Sequence, residues 1–366
     1  MIAEQLNPIQ RRALEHGIPY RVHAIVTHRC NLACQHCYQA EHAGPELSPD
    51  EWEQAFAQLA QLGTFALVMG GGEPLARRDF WRILESANKH RFAIELFTNG
   101  TLVDAEVARR LKDGGVMQAT VSLHGGHALT HDLFVQRPGA FDRIQQAIDV
   151  MEAAGLRVEV RSNVTTQNWR ELPLLELRYQ GRPLVRYSGA GADMQARDDG
   201  DTTPHLFRVT EAQERAYLRR RIETYDVATV QKRMDELARS QTRSEADAMP
   251  CQAARTYFAV QPNGDVTPCT QTASHTMGNV RQTPLERIWR DSAAAKRFRN
   301  INLSHFTDES SQCASCRYRH VCSRCPALSE EHSGSLTGWN PQSCQSTLVY
   351  WTELERRATE LGLSLP

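Results

Sequence analysis

Three closely spaced cysteines give the clearest indication of chemical function in the sequence. Cys30, Cys34 and Cys37 form a CxxxCxxC loop directly after a β-rich run at 20–27. Three soft thiolates on one short loop can hold an iron–sulfur cluster. A [4Fe–4S] cluster needs four ligands, so this loop would leave one iron open to chelation by a small molecule. A zinc knuckle and buried thiols are the alternatives, although zinc sites usually use paired CxxC or CxxH units.

A second field of cysteines lies in the last third of the chain. Its members are Cys251, Cys269, Cys313, Cys316, Cys322, Cys325 and Cys344. The four from 313 to 325 have by themselves the spacing of a zinc ribbon. Ten cysteines without an export signal indicate a reducing compartment, hence metal ligands rather than disulfides. We therefore expect a cytoplasmic protein.

Further polar and glycine residues follow apolar runs that read as strands. Gly70 to Gly72 precede Glu73, Thr98 precedes Asn99, and Ser122 ends another such run. Because glycine has no Cβ, a triple glycine lets the backbone approach a ligand closely, although two glycines also make simple turns. If these strands are parallel, the loops that follow them lie at one edge of the sheet, and all of these residues belong to that edge. Functional residues of such folds lie there.

The secondary structure predicted around these residues alternates between strands and helices. The pattern predicts strands at 20–27, 64–69, 92–97, 117–123, 157–163 and 184–187. It predicts helices at 49–62, 78–90, 104–112, 141–154 and 168–177. Such alternation is typical of a parallel sheet. Six strand–helix units without a seventh and eighth predict an α/β fold, an open, partial (β/α)6 barrel.

Size and charge narrow the function classes. The chain has 366 residues, 41% of them hydrophobic, and a net charge of −1. No apolar run approaches the roughly 18 residues of a membrane span, and acidic and basic residues are interspersed. We therefore expect neither nucleic acid nor a membrane as a partner.

The motifs in their order and spacing resemble the radical S-adenosylmethionine (SAM) superfamily. The resemblance covers about 20–168 and depends on the cysteine loop, the GGGEP segment at 70–74 and the TNGT segment at 98–101. A second resemblance, to the SPASM cluster domain of that superfamily, covers roughly 251–344. It includes an apparent hairpin turning at Asn263–Gly264 and a Gly278–Asn279–Val280 segment before a helix.

The resemblance implies a division of the chain. A helical segment at 1–19 precedes the radical SAM barrel at 20–205, and a charged helical bridge follows at 206–246. The bridge's arginines and glutamates are expected to form a solvated face. A small, irregular, cysteine-rich α+β cluster domain at 247–345 and a C-terminal helix at 346–366 complete the chain.

Roles for individual residues also follow from the resemblance. SAM would chelate the open iron of the Cys30, Cys34 and Cys37 cluster, and one electron would cleave it to a 5′-deoxyadenosyl radical that removes a hydrogen atom from the substrate. The family pattern assigns Gly71, Gly72 and Glu73 to the methionyl amino group, Ser122 to the ribose and His36 to the adenine. Ser122 could also be an ordinary strand-end residue, His36 a packing residue and Asn99 a turn former. A flavodoxin- or ferredoxin-type protein would supply the electron.

The SPASM resemblance implies two auxiliary [4Fe–4S] clusters. Relatives interleave their ligands, which would give Cys251, Cys269 and Cys325 to one cluster. The other would take Cys313, Cys316, Cys322 and Cys344. Two fully thiolate-bound clusters need eight cysteines and seven remain. We hypothesise that the Cys251 cluster keeps a free iron or uses an oxygen or nitrogen ligand.

Three substrate classes compete. The first is a ribosomally synthesised peptide that is modified or crosslinked, as in the family's maturases. The second is a sulfatase side chain, which Thr270 weakens because those relatives carry Asp after the corresponding cysteine. The third is a tetrapyrrole or other small molecule. Only about twenty residues precede the first strand, so a peptide substrate would need a separate recognition protein or direct docking. We expect His124, His127 and His131 to be ordinary surface histidines.

Overall fold

One mixed sheet runs through both halves of the chain. The structure is a computed structural model that describes residues 6–41, 43–179, 185–188, 194–242, 244–246, 248–272, 274–306, 313, 315–322 and 324–366. The strands are β1 (Arg21–Thr27), β2 (Ala66–Gly71), β3 (Ala93–Thr98), β4 (Val116–Ser122), β5 (Arg157–Asn163), β6 (Val185–Ser188), β7 (Tyr257–Val260), β8 (Asp265–Thr267) and β9 (Gly278–Asn279). Their order is β6-β5-β4-β3-β2-β1-β7-β8-β9, so β6 and β9 are edges and the sheet does not close into a full barrel.

Helices follow most strands of the first half and dominate the second. They are α1 (Pro8–Glu15), α2 (Pro49–Gln61), α3 (Phe80–Lys89), α4 (Ala105–Asp113), α5 (Ala128–Val135), α6 (Ala140–Ala153), α7 (Leu172–Arg178), α8 (Glu211–Glu223), α9 (Val227–Gln241), α10 (Leu285–Asp291), α11 (Ala293–Asn300), α12 (Pro326–Ser333) and α13 (Pro341–Glu360). None of the helices in the described ranges combines the length and the apolarity needed to cross a membrane.

The six predicted strands of the barrel are present and parallel. Position 184, predicted to begin the last strand, lies outside the described residues. Helix α5 was not predicted. It lacks both a side-chain N-cap bond and a one-sided apolar stripe, which are the signals that sequence patterns use.

The first helix of the barrel shows how local sequence sets an element. Ser48 Oγ accepts a hydrogen bond from Glu51 N at 3.2 Å, and the Glu51 carboxylate accepts from Ser48 N at 2.7 Å. This reciprocal capping box satisfies two backbone donors at the start of α2. Trp52 and Phe56, one turn apart on the same face, are fully buried in the central core.

The second half of the chain extends the sheet of the first. Strand β7 pairs in parallel with β1, with Arg21 opposite Tyr257 and Ala24 opposite Val260. β7 and β8 form the predicted hairpin, whose Gly264 has φ of +91°. A positive φ explains glycine at this turn. The cysteine-rich segment is therefore joined to the barrel by backbone hydrogen bonds.

The helical bridge contains buried charges as well as exposed ones. Glu214 of α8 is 1% exposed, and Glu353 of α13 is 2% exposed. Arg219 of α8 donates to both Glu353 oxygens, at 2.9 and 3.0 Å. Arg215 also reaches Glu353, at 3.2 Å. The prediction that the bridge presents a solvated charged face is therefore wrong for the side of α8 that contacts α13.

Candidate active site and cluster sites

The CxxxCxxC loop lies at one wall of a cavity of about 350 Å3 inside the partial barrel. Cys30, Cys34 and Cys37 all line this cavity, which we call the active-site cavity. Burial raises the pKa of the Cys34 thiol, and the neighbouring Cys37 and Cys30 raise it further. The three cysteines therefore line a common space, in which the Cys34 thiol is strongly desolvated.

Helix α5 holds this loop in place. Ala33 N donates to Val135 O at 3.3 Å, and Gln35 N donates to Phe134 O at 3.0 Å. Leu32 is buried in one small apolar cluster with Phe134 and Val135. The last carbonyl groups of α5, which have no partner within the helix, therefore accept hydrogen bonds from the cysteine loop.

The glycine triplet packs against the start of the same loop. A Cβ on Gly71 would lie 2.1 Å from the carbonyl oxygen of Thr27, and one on Gly72 would lie 2.3 Å from that of Arg29. Gly72 N donates to Thr27 O at 2.9 Å. The close approach that requires glycine here is to the backbone of the cysteine loop. The assignment of Gly71 and Gly72 to the amino group of SAM stays a prediction.

Glu73 is fully buried and ties two strand ends together. Its carboxylate accepts from Thr98 Oγ1 at 2.9 and 3.0 Å, from Asn99 N at 2.7 Å and from Leu75 N at 3.1 Å. Burial raises the pKa of Glu73 to about 7, against the opposing effect of these hydrogen bonds. In this arrangement its oxygens position Asn99, and its predicted contact with SAM stays a prediction.

Asn99 connects that carboxylate to the cysteine loop. Its Nδ2 donates to Asn31 Oδ1 at 2.8 Å and lies 3.9 Å from Cys30 Sγ. Its Oδ1 accepts from Thr101 N at 3.0 Å. Asn99 is therefore a turn former, as predicted, and also a support for the loop that carries Cys30.

Two of the three histidines predicted to be on the surface are buried. His124 and His131 are 5% and 0% exposed, whereas His127 is exposed. His131 Nδ1 accepts from His124 N at 3.0 Å, and burial lowers the pKa of His131 to about 4. The surface prediction is wrong for these two because His131 lies on the buried face of α5, where it accepts the hydrogen bond from the backbone of His124 in the loop after β4.

His36 lies among aromatic rings beside the cysteines. Its ring stacks on Phe134 with centroids 4.8 Å apart, and its edge meets His124 at 4.7 Å. Burial lowers the pKa of His36 to about 4, so its imidazole is neutral. Its Nδ1 is buried without a hydrogen-bond partner. A flat, neutral ring with an unused nitrogen, lining the cavity, fits the predicted contact with an adenine base.

The cavity wall also contains Arg161, which no sequence motif marks. Arg161 of β5 pairs with Ser122 of β4, and both line the cavity. The predicted contact of Ser122 with ribose stays a prediction. The Arg161 guanidinium lies 5.4 Å from the centre of the Phe97 ring, and its Nε is buried without a partner. The alternation of β5 was the available signal, because it places Arg161 and Asn163 on one face and the buried valines on the other.

Four cysteines of the second field surround a cavity of about 840 Å3. They are Cys313, Cys316, Cys322 and Cys344. Burial raises the pKa of Cys344, and Cys313 and Cys316 act on it in the same direction. The residues predicted to share one auxiliary cluster therefore lie together.

The remaining three cysteines, Cys251, Cys269 and Cys325, also lie near one another. Burial raises the pKa of Cys269 to about 12, with smaller contributions from Cys325 and Cys251. Thr270 and Gln271, directly after Cys269, reach the active-site cavity. This second group is thus close to the reaction space.

The donor sets suit clusters better than single metal ions. Within the described ranges, no three side chains of His, Cys, Asp or Glu come close enough to hold one metal ion. An iron–sulfur cluster holds its cysteines farther apart than a single zinc ion does. The cysteines fall into groups of three, four and three, and each group lines a cavity or shares a buried environment. Thiolates grouped in this way are suitable ligands for iron–sulfur clusters.

Family models match both halves of the chain. The model of the radical SAM superfamily matches residues 24–175. A model described as an iron–sulfur cluster-binding domain, SPASM, matches residues 251–326. The chain belongs to the radical SAM superfamily. Its two domains imply [4Fe–4S] clusters and SAM as its cofactors.

Curated relatives of this radical SAM protein have different activities. It is 27% identical to an "AdoMet-dependent heme synthase" of Nitratidesulfovibrio vulgaris, over 90% of this chain and 94% of the relative. A protein of the same name from Methanosarcina barkeri is 26% identical over 86% and 93%. A mycofactocin maturase of Mycolicibacterium smegmatis is 33% identical over 46% of this chain and 45% of the relative.

Solved structures share the fold along most of the chain. One is anSMEcpe with bound AdoMet and the Cp18Cys peptide, with a TM-score of 0.69 and 17% identity over 93% of this chain and 98% of that one. Another is Streptococcus suis SuiB bound to the precursor peptide SuiA, with a TM-score of 0.68 and 18% identity over 92% and 79%. At these identities the likeness concerns the fold, and it agrees with the predicted partial barrel followed by a cluster domain.

Proposed function

We propose that this radical SAM protein modifies or crosslinks side chains of a ribosomally synthesised peptide. When bound, the cluster and SAM supply the one-electron chemistry that removes a hydrogen atom from an unactivated carbon. Cys30, Cys34 and Cys37 would hold that cluster, with Asn99 and the end of α5 keeping their loop in position. A flavodoxin- or ferredoxin-type donor would deliver the electron.

The charge of the cavity walls is the observation that carries the peptide proposal. A second cavity, of about 520 Å3, shares Tyr38, Gln195 and Gln271 with the active-site cavity, and we call it the outer cavity. The described lining of the two cavities contains two guanidinium groups, Arg161 and Arg197, and three carboxylates, Asp198, Glu330 and Glu331.

This charge balance suits a neutral or basic side chain better than a ligand with several carboxylates. A porphyrin precursor carries its charge on carboxylates. In the outer cavity these would meet Asp198 and also Glu330 and Glu331, whose charges are partly offset by His275 and Arg208. The volume of the active-site cavity also favours a peptide substrate. An active-site cavity of about 350 Å3 is at the lower end of the usual range for a small ligand, so SAM would occupy much of it. An extended peptide needs to insert only one side chain beside it.

The residues of the inner wall would exclude water and fix the substrate's position. His23 lies between the rings of Phe97 and Tyr257, at 5.7 and 5.0 Å. Burial lowers the pKa of His23 to about 3, so it stays neutral. A neutral, aromatic wall excludes water from the reaction space.

A tetrapyrrole substrate is the second candidate. It is supported by the two "AdoMet-dependent heme synthase" relatives, because their similarity extends over nearly the whole of both chains. Mycofactocin maturases match less of this chain, about half of it for the Mycolicibacterium smegmatis protein and 81% for one of Mycobacterium tuberculosis. Sequence similarity therefore favours the tetrapyrrole, whereas the charge of the cavities favours the peptide.

A substrate comparison under anaerobic conditions separates the two. Reconstituted, dithionite-reduced protein is incubated with SAM and either a short peptide encoded beside its gene or Fe-coproporphyrin III. We expect 5′-deoxyadenosine above the substrate-free background only with the peptide, which should lose two hydrogen atoms in mass if a crosslink forms. Turnover of the porphyrin and none of the peptide would overturn the peptide proposal. No 5′-deoxyadenosine with any substrate would overturn the radical activity itself.

A further inference from the structure

Arg324 is a buried cation beside four cysteines of the second field. It is 8% exposed and lines the 840 Å3 cavity. The cysteines that line the same cavity, which together we call the four-cysteine site, are Cys313, Cys316, Cys322 and Cys344. Moving a charged group out of water is costly unless an opposite charge or hydrogen-bond acceptors receive it. The burial of this guanidinium therefore implies a partner.

Two other buried arginines in this half of the chain have partners within the protein. Arg255 and Arg319 are 8% and 6% exposed. The Arg255 guanidinium donates to three backbone carbonyls. The Arg319 guanidinium donates through Nη2 to Glu245 Oε2 at 3.0 Å and through Nη1 to a backbone carbonyl at 3.2 Å. Acceptors of the folded chain therefore compensate the burial of both charges.

The side chain of Arg324 lacks comparable acceptors. Its Nε is buried without a hydrogen-bond partner, and no carboxylate of the described ranges forms an ion pair with it. Its guanidinium lies over the Phe306 ring, 4.6 Å from the ring centre. Its charge also acts on the thiols of Cys322 and Cys344. Thiolates of the four-cysteine site are therefore the opposite charge that this guanidinium would face.

Helix α13 adds a neutral donor to the same site. Thr347 lies one turn after Cys344, and its Oγ1 donates to Cys322 Sγ at 3.3 Å. Thr347 is buried, as Arg324 is. A hydroxyl group and a guanidinium group thus lie beside one cysteine sulfur, and both stabilise negative charge on it.

The reduction potential of an iron–sulfur cluster depends on such surroundings. A four-iron cluster with four thiolate ligands is an anion, and its negative charge increases when it gains an electron. A nearby cation stabilises the reduced form more than the oxidised form, and burial strengthens this effect because little water screens it. Positive charge near the cluster and hydrogen bonds to its sulfurs therefore both raise its reduction potential.

We propose that the Arg324 guanidinium is the buried counter-charge of an auxiliary cluster held by the four-cysteine site, and that it raises the reduction potential of that cluster. The inference rests on the grouping of these four cysteines and is independent of the substrate's identity. A cluster that is easier to reduce is a better electron acceptor. Arg324 therefore favours the transfer of electrons to this end of the protein.

A redox titration followed by EPR tests the proposal. The background is the reconstituted full-length protein with Cys30, Cys34 and Cys37 replaced by alanine, so that only the auxiliary clusters contribute. Arg324→Gln should lower the equilibrium constant for reduction of one cluster about tenfold, which is about 59 mV for a one-electron couple. The other cluster should keep its potential. Arg324→Lys, which preserves the charge, should restore most of the background potential. Thr347→Val, which removes a neutral donor, should cause a smaller shift in the same direction.

Arg317→Gln is the matched control. Arg317 follows Cys316 and lines the same cavity, but its side chain is 50% exposed and forms an ion pair with Glu355 at 3.0 Å. Because water and salt screen an exposed charge, its loss should leave both potentials unchanged. If Arg324→Gln keeps its iron and both of its potentials equal those of the background, the proposal is overturned.

Iron content decides the case in which Arg324→Gln does not hold a cluster. A loss of about four irons by Arg324→Gln but not by Arg324→Lys would support the role as counter-charge, and an equal loss by both would overturn it. Replacing Cys313 and Cys316 with alanine should remove about four irons. If it removes none, the grouping of the four cysteines fails, and this failure is distinct from a failure of Arg324 alone.

Discussion

Arg161 is the one permanently cationic side chain among the described residues that line the active-site cavity. Its Nε is buried and lacks a hydrogen-bond partner, which is costly unless a ligand completes the site. SAM carries a carboxylate next to its amino group, and a guanidinium binds carboxylates with strong, charge-assisted hydrogen bonds. A residue with no sequence motif is thus a strong candidate for SAM binding.

Replacing this guanidinium should weaken SAM binding. Because a hydrogen bond to a charged group contributes about 1.5–3 kcal/mol, Arg161→Gln should raise the Kd for SAM by about tenfold to a hundredfold. Anaerobic equilibrium dialysis measures the change. Arg157→Gln, an exposed residue on the same strand, is the control and should bind SAM like the wild type. Equal affinities for the two variants would contradict the role of Arg161.

Two neighbouring glycines should respond differently to one added methyl group. A Cβ on Gly72 would overlap the carbonyl oxygens of Arg29 and His28, at 2.3 and 2.6 Å, whereas one on Gly70 would make an ordinary 3.4 Å contact with Phe97. Gly72→Ala should therefore displace the cysteine loop and lose about four irons, with Gly70→Ala keeping them. Iron analysis after reconstitution measures both, and iron retained by Gly72→Ala would refute the steric argument.

Helix α5 is the element whose absence from the prediction matters most. Its last carbonyls hold Ala33 and Gln35 of the cysteine loop, and its Phe134 forms the stacking partner of His36. Neither a cap nor an amphipathic stripe marks this helix. Its exposed face carries Leu129 and Leu133, which are 72% and 62% exposed, whereas its buried face includes the polar His131. Tertiary contacts decide such a helix, and local sequence signals do not.

The contact between α8 and α13 depends on one buried carboxylate. Glu353 is surrounded by Arg215, Arg219 and Arg356, which hold its pKa at about 2 despite the opposing effect of burial. Glu353→Gln would leave the arginines without their shared partner and should lower the free energy of unfolding by about 1–3 kcal/mol. Glu286→Gln removes an exposed ion pair with Arg290 and should cost at most about 0.5 kcal/mol.

The low pKa of Glu353 predicts that its contribution to the free energy of unfolding depends on pH. The folded-state pKa of Glu353, about 2, lies below its ordinary value of 4.5. Its stabilising effect is therefore complete above pH 4.5 and is lost as the pH falls towards 2. Chemical denaturation at several pH values should show the wild type and Glu353→Gln converging in stability on acidification. A difference that stays constant from neutral to acidic pH would contradict this account.

At the scale of the whole molecule, the three cysteine groups predict the iron content. Full reconstitution should give about twelve irons per chain, and replacing Cys30, Cys34 and Cys37 with alanine should leave about eight. That variant should form no 5′-deoxyadenosine, although its auxiliary absorbance persists. A wild-type content near four irons would contradict the three-cluster organisation.

The continuous sheet explains how the two halves of the chain cooperate. Parallel pairing of β7 with β1 places the hairpin that leads to Cys269 directly beside the strand that leads to Cys30. The distance between the cluster sites is therefore set by backbone hydrogen bonds rather than by a flexible linker. The sequence predicted the hairpin and its Asn263–Gly264 turn, but nothing local in either strand specified that they belong to one sheet.

Sequence patterns were sufficient to predict the strands, most of the helices between them, the cysteine motifs and the resemblance to the family. These features are local, since periodicity, caps, turns and ligand spacing are set within a few residues. Roles that depend on distant neighbours became visible only in the folded chain. Examples are the buried His124, the unpartnered guanidinium of Arg161 and the contact of Thr347 with Cys322. Burial and hydrogen-bond partners arise when remote segments meet, and no residue's own type or spacing encodes them.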